Sequence, residues 1–167
     1  MILPKVEIKK ILYATDLSEN ARFAFGYAVS LANRYDARIV VLHVIEEISP
    51  LMNAQVADML GAEKWQELQR NRKKEVVEIL VQKLEAFCAD TAAADESCPF
   101  TVTDIKVRNG HPVEEIIAES IASDYDVIVM GTHGHGILAG AMMGSTAMRV
   151  VRRSHVPVMV IRLPKTA

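Results

Sequence analysis

Five strand-like runs divide this chain at intervals that leave room for a helix between each and the next: KKILYAT (9–15), ARIVVLHVI (37–45), PFTVTDIKVR (99–108), DVIVM (126–130) and VPVMVIR (156–162). ARIVVLHVI and DVIVM are almost continuously aliphatic and β-branched, the mark of strands covered on both faces. PFTVTDIKVR is more polar and alternating, as an edge strand should be. Between the runs, apolar residues recur at helical spacing. Ser18 is placed to cap a helix carrying Ala21, Ala24, Phe25, Ala28, Leu31, Ala32 and Tyr35. A long charged helix from Glu63 to Phe87 has Trp65, Leu68, Val76, Leu80, Leu84 and Phe87 as its expected buried stripe. Pro112 suits a first helical position ahead of Val113, Ile116, Ile117 and Ile121, and a fourth helix is expected from Ser145 to Arg153. Residues 46–62, with Pro50, Gly61 and the apolar Leu51, Met52, Met59 and Leu60, read as an irregular excursion with room for one short helix. Residues 89–97 read as a loop, and Asn109-Gly110 as a turn.

Strand and helix alternate throughout, which requires an α/β fold: a parallel sheet with helices on both faces, each link a crossover of one hand. At 167 residues the chain is expected to form one domain over 1–167, burying about 70% of its unfolded surface. A net charge of −2 argues against nucleic acid as the main partner, since phosphate binding at scale needs a basic excess. Cys88 and Cys98 form no CxxC or Cys/His pattern and are expected to be reduced thiols of a cytosolic protein. The N-terminal stretch has no signal-peptide core, and no apolar run approaches the ~20 residues that cross a bilayer. The expectation is a soluble, cytoplasmic protein with no membrane partner.

In open parallel sheets, ligands bind beyond the carboxyl ends of the strands, where strand order reverses. Two features lie at such ends. One is Asp16, after the first run. The other is GTHGHGILAGAMMGST (131–146), which holds five of the chain's eight glycines between a buried strand and a helix start. If the first and fourth strands are neighbours, both features share one crevice. A loop in that position suits an anion: backbone N–H groups and the positive end of the helix dipole point into it, and glycines let the backbone approach phosphate oxygens closely. Ser145 and Thr146 add hydroxyl donors. The alternative is a glycine-rich turn whose Ser145 merely caps its own helix. The loop has no lysine of the GxxxxGK[ST] kind and follows the fourth strand rather than the first. HGHG at 133–136 stands in the wrong place for a nucleotidylyl-transferase HxGH motif. His133 and His135, as half of a metal site, have no third ligand nearby and read as solvated side chains.

Gly131-x2-Gly134-x9-Gly144-Ser145-Thr146 resembles the G-x2-G-x9-G-[ST] signature of the ATP-binding branch of the universal stress protein family. KKILYATDLSENA, VVLHVIE and SHVPVMVIR are similar to that family's pattern as well, so the resemblance covers nearly the whole chain. Another branch of the family lacks the glycines and binds no nucleotide. The resemblance implies a Rossmann-like five-stranded sheet of order 3-2-1-4-5. By position it implies that Ala14, Thr15 and Asp16 line the site, with Asp16 toward a ribose. Val44 would meet adenine through its backbone, Met130 and Gly131 would begin the phosphate loop, and Gly134, Gly144, Ser145 and Thr146 would hold the phosphates. The implied ligand is ATP, or ADP or AMP, with Mg²⁺ on the phosphates near Asp16. Ala14 departs from the proline that many members carry, and the extra glycines Gly136 and Gly140 imply a more mobile loop centre.

A carboxylate at Asp16 would repel phosphate, so ribose hydroxyls or a phosphate-bound metal are its sensible partners; a turn-forming Asp ahead of Ser18 is the alternative. Arg149, Arg152 and Arg153 are expected to complement the end of their helix rather than reach phosphates. Without a lysine, the site suits a stress-response regulatory module that binds nucleotide better than a slow ATP hydrolase or phosphotransferase, for which His133 and His135 are the nearby bases. In the implied order the last strand is an apolar edge, which predicts a homodimer through Val156 to Ile161. The 46–62 excursion would either extend that contact or cap the nucleotide site.

Overall fold

Period-two burial decides how the central strands divide their side chains. The computed structural model describes residues 5–92, 101–133 and 143–164. In chain order its elements are β1 (Lys10–Thr15), α1 (Glu19–Tyr35), β2 (Arg38–Glu46), α2 (Pro50–Leu60), α3 (Ala62–Ala92), β3 (Thr101–Gly110), α4 (Pro112–Ala122), β4 (Val127–Gly131), α5 (Ser145–Arg153) and β5 (Val158–Ile161). All neighbouring strands run parallel, in the order β3-β2-β1-β4-β5. Ile11 and Tyr13 of β1 join Ile39 and Val41 of β2 in a core with Phe25 and Ala28 of α1 and Leu80 of α3. Leu12 and Ala14, one residue out of phase, face the opposite core with Val113 and Ile116 of α4 and Val150 of α5. One run thus supplies both faces of the sheet, as alternation along a strand requires. The sheet is Rossmann-like, with helices on both sides and β1 beside β4, as expected.

Ser18 caps α1, its side chain accepting from Ala21 N at 3.2 Å. Asp36, in the left-handed region at φ 54°, ends the helix. Tyr35 is 43% exposed, and Val29 takes a buried place that the sequence pattern did not assign.

Residues 46–62 hold the one short helix there was room for, 11 residues begun by Ser49 and Pro50, and none of its residues is buried. Three expectations need correction. The long helix runs on to Ala92, so 89–92 is helix rather than loop, while 93–97 lie outside the described residues. Within it Leu68 is 44% exposed and Trp65 is half-buried, its Nε1 donating to Asn53 of α2, while packing on the sheet core begins near Val76. At 1.5 Å per residue, 31 residues extend roughly 46 Å, farther than strands of this length offer a face to cover. Asn109 and Gly110 do not turn the chain; they continue β3 and pair with Ile45 and Glu46.

On α4 the third correction is a side-chain exchange. Ile121 is 62% exposed, while Glu119 is fully buried. Lys106 Nζ donates to Glu119 Oε1 at 2.8 Å, the Tyr125 hydroxyl donates to the same oxygen at 2.8 Å, and Arg108 pairs with Oε2. Burial opposes the carboxylate's charge, yet the Lys106 and Tyr125 hydrogen bonds and the two nearby cations outweigh it and hold the Glu119 pKa below the usual 4.5. The pairing ties edge strand β3 to α4.

Candidate functional site

The β1–α1 turn is held by its own side chains. Leu17 sits at φ 69°, an uncommon conformation for a residue with a Cβ. Its N–H donates to Thr15 Oγ1 at 3.0 Å, and Lys83 Nζ from α3 donates to its carbonyl at 2.7 Å. Ser18 donates to Asp16 Oδ1 through both N–H (3.1 Å) and hydroxyl (2.6 Å). Asp16 is therefore a turn residue, and it also lines a cleft. On the neighbouring strand His43 Nδ1 donates to the Thr15 carbonyl at 2.8 Å, which fixes the end of β1 against β2.

Across the reversal point, Ala14 is level with Leu42 on one side and Met130 on the other. Beyond Met130, Thr132 N donates to Ile161 O, and Gly144 N donates to Thr132 O at 2.7 Å, closing the base of the β4–α5 loop. Gly144 is the N-cap of α5, with an ordinary φ of −66° and no side-chain cap hydrogen bond. Ser145 is the first helical residue and not the cap of its own helix. Gly144 thus offers no side-chain cap to the first N–H groups of α5, which lie at the positive end of the helix dipole. Gly144 is glycine for space: a Cβ there would stand 2.9 Å from the Thr132 carbonyl oxygen.

These pieces enclose a cleft of about 490 Å³, within the range of small-molecule sites. Nine of the ten residues singled out from the sequence line it. Ala14, Thr15 and Asp16 come from β1 and its turn, and Val44 comes from β2. Met130, Gly131, Gly144, Ser145 and Thr146 come from β4 and the start of α5. Gly134 lies outside the described residues, as do Gly136, Gly140, His135 and Cys98. His43, Glu46, Thr132, Pro112 and Ile116 also line the cleft and were missed. Position carried the signal: each stands at the carboxyl end of a strand or in the first turns of the helix that follows.

Among the described lining residues the ionisable side chains are Asp16, Glu46, His43 and His133, with no lysine or arginine. Arg153 is engaged elsewhere, paired with Glu114 of α4 at 2.8 Å. No cluster of three metal-ligating side chains occurs among the described residues. An anion in this cleft would be met by backbone N–H groups, hydroxyls and the α5 dipole.

An open parallel sheet with a cleft at its reversal point defines a Rossmann-like α/β protein. Residues 7–162 match the model of the universal stress protein family, and the chain belongs to that family. It is 30% identical over 161 residues to universal stress protein MJ0577 of Methanocaldococcus jannaschii, covering 94% of this chain and 96% of that one. A Thermus aquaticus universal stress protein is 29% identical, over 92% of this chain and 98% of its own. The solved structure of MJ0577 matches with a TM-score of 0.70 at 28% identity, over 96% of this chain and 100% of that one. A universal stress protein solved in complex with cAMP shares the fold at TM-score 0.62 and 20% identity, over 92% of this chain and 97% of that one. No helix among the described residues is long and apolar enough to cross a membrane.

Proposed function

We propose that this chain is an ATP-binding universal stress protein, a cytoplasmic regulatory module whose ligand occupies the cleft between β1 and β4. The observation that carries the reading is convergence: the Asp16 turn, the end of β2 at Val44 and the start of α5 at Gly144 all line one cleft of nucleotide size. The donor set suits the ligand. Uncapped N–H groups of α5, with Ser145 and Thr146, take the phosphates together with Gly131 and Gly134, and the space a Cβ at Gly144 would fill keeps that approach open. Asp16 takes ribose hydroxyls or Mg²⁺ carried by the phosphates, Val44 presents its backbone to adenine, and Ala14, Thr15 and Met130 form the floor. Fold neighbours solved with cAMP and with AMP lend the reading support.

Binding, rather than phosphoryl transfer, is the proposed activity, because no lysine or arginine among the described lining residues is available to a transferring phosphoryl group. Thr132 Oγ1, 3.0 Å from His133 Nδ1, gives that imidazole an orienting partner and makes slow hydrolysis the second reading. β5 is an outer strand whose Val158, Met159 and Val160 are half-buried, which supports a homodimer formed through Val156 to Ile161. Mass spectrometry of ligand released from purified protein by denaturation, with phosphate release measured in Mg²⁺, tests the reading. Recovered adenine nucleotide with negligible turnover is expected; ligand-free protein that does not bind ATP when titrated would refute it.

A further inference from the structure

Asn20, the second residue of α1, is 6% exposed and lies between the two halves of the cleft without lining it. Its Nδ2 donates to the His133 carbonyl at 2.7 Å and approaches Thr132 Oγ1 at 3.4 Å. Its Oδ1 is buried with no hydrogen-bond partner among the described residues. A buried amide with one end unmatched is a costly choice for a core position, where an aliphatic side chain would pack without penalty. Gly131 bears on the same point. A Cβ there would stand 3.1 Å from Asn20 Nδ2 and 3.3 Å from its Cγ, so the first glycine of the loop leaves the room that Asn20 occupies.

We infer that Asn20 is a positioning residue for the phosphate-binding half of the site, clamping the Thr132–His133 start of the glycine loop to the β1–α1 turn; this rests on the cleft being the nucleotide site. Ser18 already ties Asp16 to the same turn, so the clamp makes the ribose and phosphate halves one rigid unit. Thr132 Oγ1, 3.4 Å from Asn20 Nδ2 and 3.0 Å from His133 Nδ1, carries the same clamp on to that imidazole. Gly131 serves phosphate binding indirectly, by admitting Asn20.

The test is calorimetric titration of ATP and of adenosine into the unmodified chain, Asn20→Ala, the uncharged and similarly sized Asn20→Val, Gly131→Ala and the Asn20→Ala/Gly131→Ala pair, with folding checked by circular dichroism. Loss of one well-formed hydrogen bond predicts ATP binding weakened about tenfold in Asn20→Ala and in Asn20→Val, with adenosine within about threefold. Gly131→Ala should show the same bias against ATP, and the paired variant should bind no worse than Asn20→Ala alone, because the added methyl then has space. Equal weakening of ATP and adenosine, or unchanged ATP affinity, in folded Asn20 variants would overturn the inference while leaving the nucleotide site standing. An unmodified chain that binds neither ligand would overturn both. Should Asn20→Ala fail to fold, Asn20→Val decides, since it nearly keeps the volume and loses the donor without adding a charge.

Discussion

Replacing Gly144 with alanine asks the glycine loop a narrow question. Gly144 has φ −66° and ψ 154°, a conformation any residue adopts, so backbone strain contributes nothing. The added methyl would instead stand 2.9 Å from the Thr132 carbonyl oxygen, an acceptor already bonded by Gly144 N at 2.7 Å. Restoring an ordinary contact of about 3.4 Å needs a separation of roughly 0.5 Å, which takes that hydrogen bond to the edge of its useful range. Weakening the bond costs about 1 kcal/mol, and the forced repacking of the loop base a further ~1 kcal/mol. For a chain of this length, ~2 kcal/mol lowers Tm by about 4–8 °C. The same shift withdraws the first N–H groups of α5 from the phosphates, so ATP should bind at least about tenfold more weakly while adenosine changes by less than about threefold. Gly144→Val should be worse on both counts, since its bulk meets the protein's own backbone before any ligand. Differential scanning calorimetry and ligand titration read the two effects separately. A Gly144→Ala protein that melts within about 1 °C of its parent and binds ATP equally well would refute the steric argument.

Asp16→Ala should weaken adenosine and ATP by similar factors if the carboxylate holds the ribose, and ATP alone, only with Mg²⁺ present, if it serves the metal; titrations with and without Mg²⁺ separate the two. Glu119→Ala should destabilise the fold by roughly 3 kcal/mol in denaturant melts, the low end for a broken buried pair, because Lys106 and Arg108 remain 29% and 36% exposed and so reach water. The Glu119 pKa is held below 4.5 in the folded protein, so its contribution is full above that pH and is lost as pH falls through the folded value. Acid melts of Glu119→Gln should accordingly converge on those of the parent at low pH. Met159→Lys or Val158→Asp should shift the chain from dimer toward monomer or aggregate in sedimentation, and a stable monomer of the unmodified chain at tens of micromolar would reject pairing through β5.

Legibility in the sequence followed the range of the interaction. The out-of-phase pair Ile11/Tyr13 and Leu12/Ala14 obeys strand alternation, which is local, and the parallel sheet followed from strict alternation of elements, while its strand order rested on the family resemblance. Where a helix loses its partner was not readable: Leu68 and Leu80 look alike in the α3 pattern, but only Leu80 lies over the sheet. Ile121 and Glu119 exchanged expected places because the cations and hydroxyl that make a buried carboxylate tolerable come from β3 and from Tyr125, outside α4. The site was legible where it lies on strand ends, as with Asp16 and Val44. The pairing of Asn20 with the loop start spans more than a hundred residues and left no local trace.

The proposed adenine nucleotide in the cleft between β1 and β4 would be sensed by the amides around it, and titration of the isotopically labelled chain with ATP, followed by amide NMR, reads them. Saturable shifts are expected at Thr15, Asp16, Val44, Gly131, Thr132 and Gly144 to Thr146, with the opposite helical face of the sheet unmoved. Saturable shifts confined to residues outside this cleft, or none up to millimolar ATP, would contradict that placement.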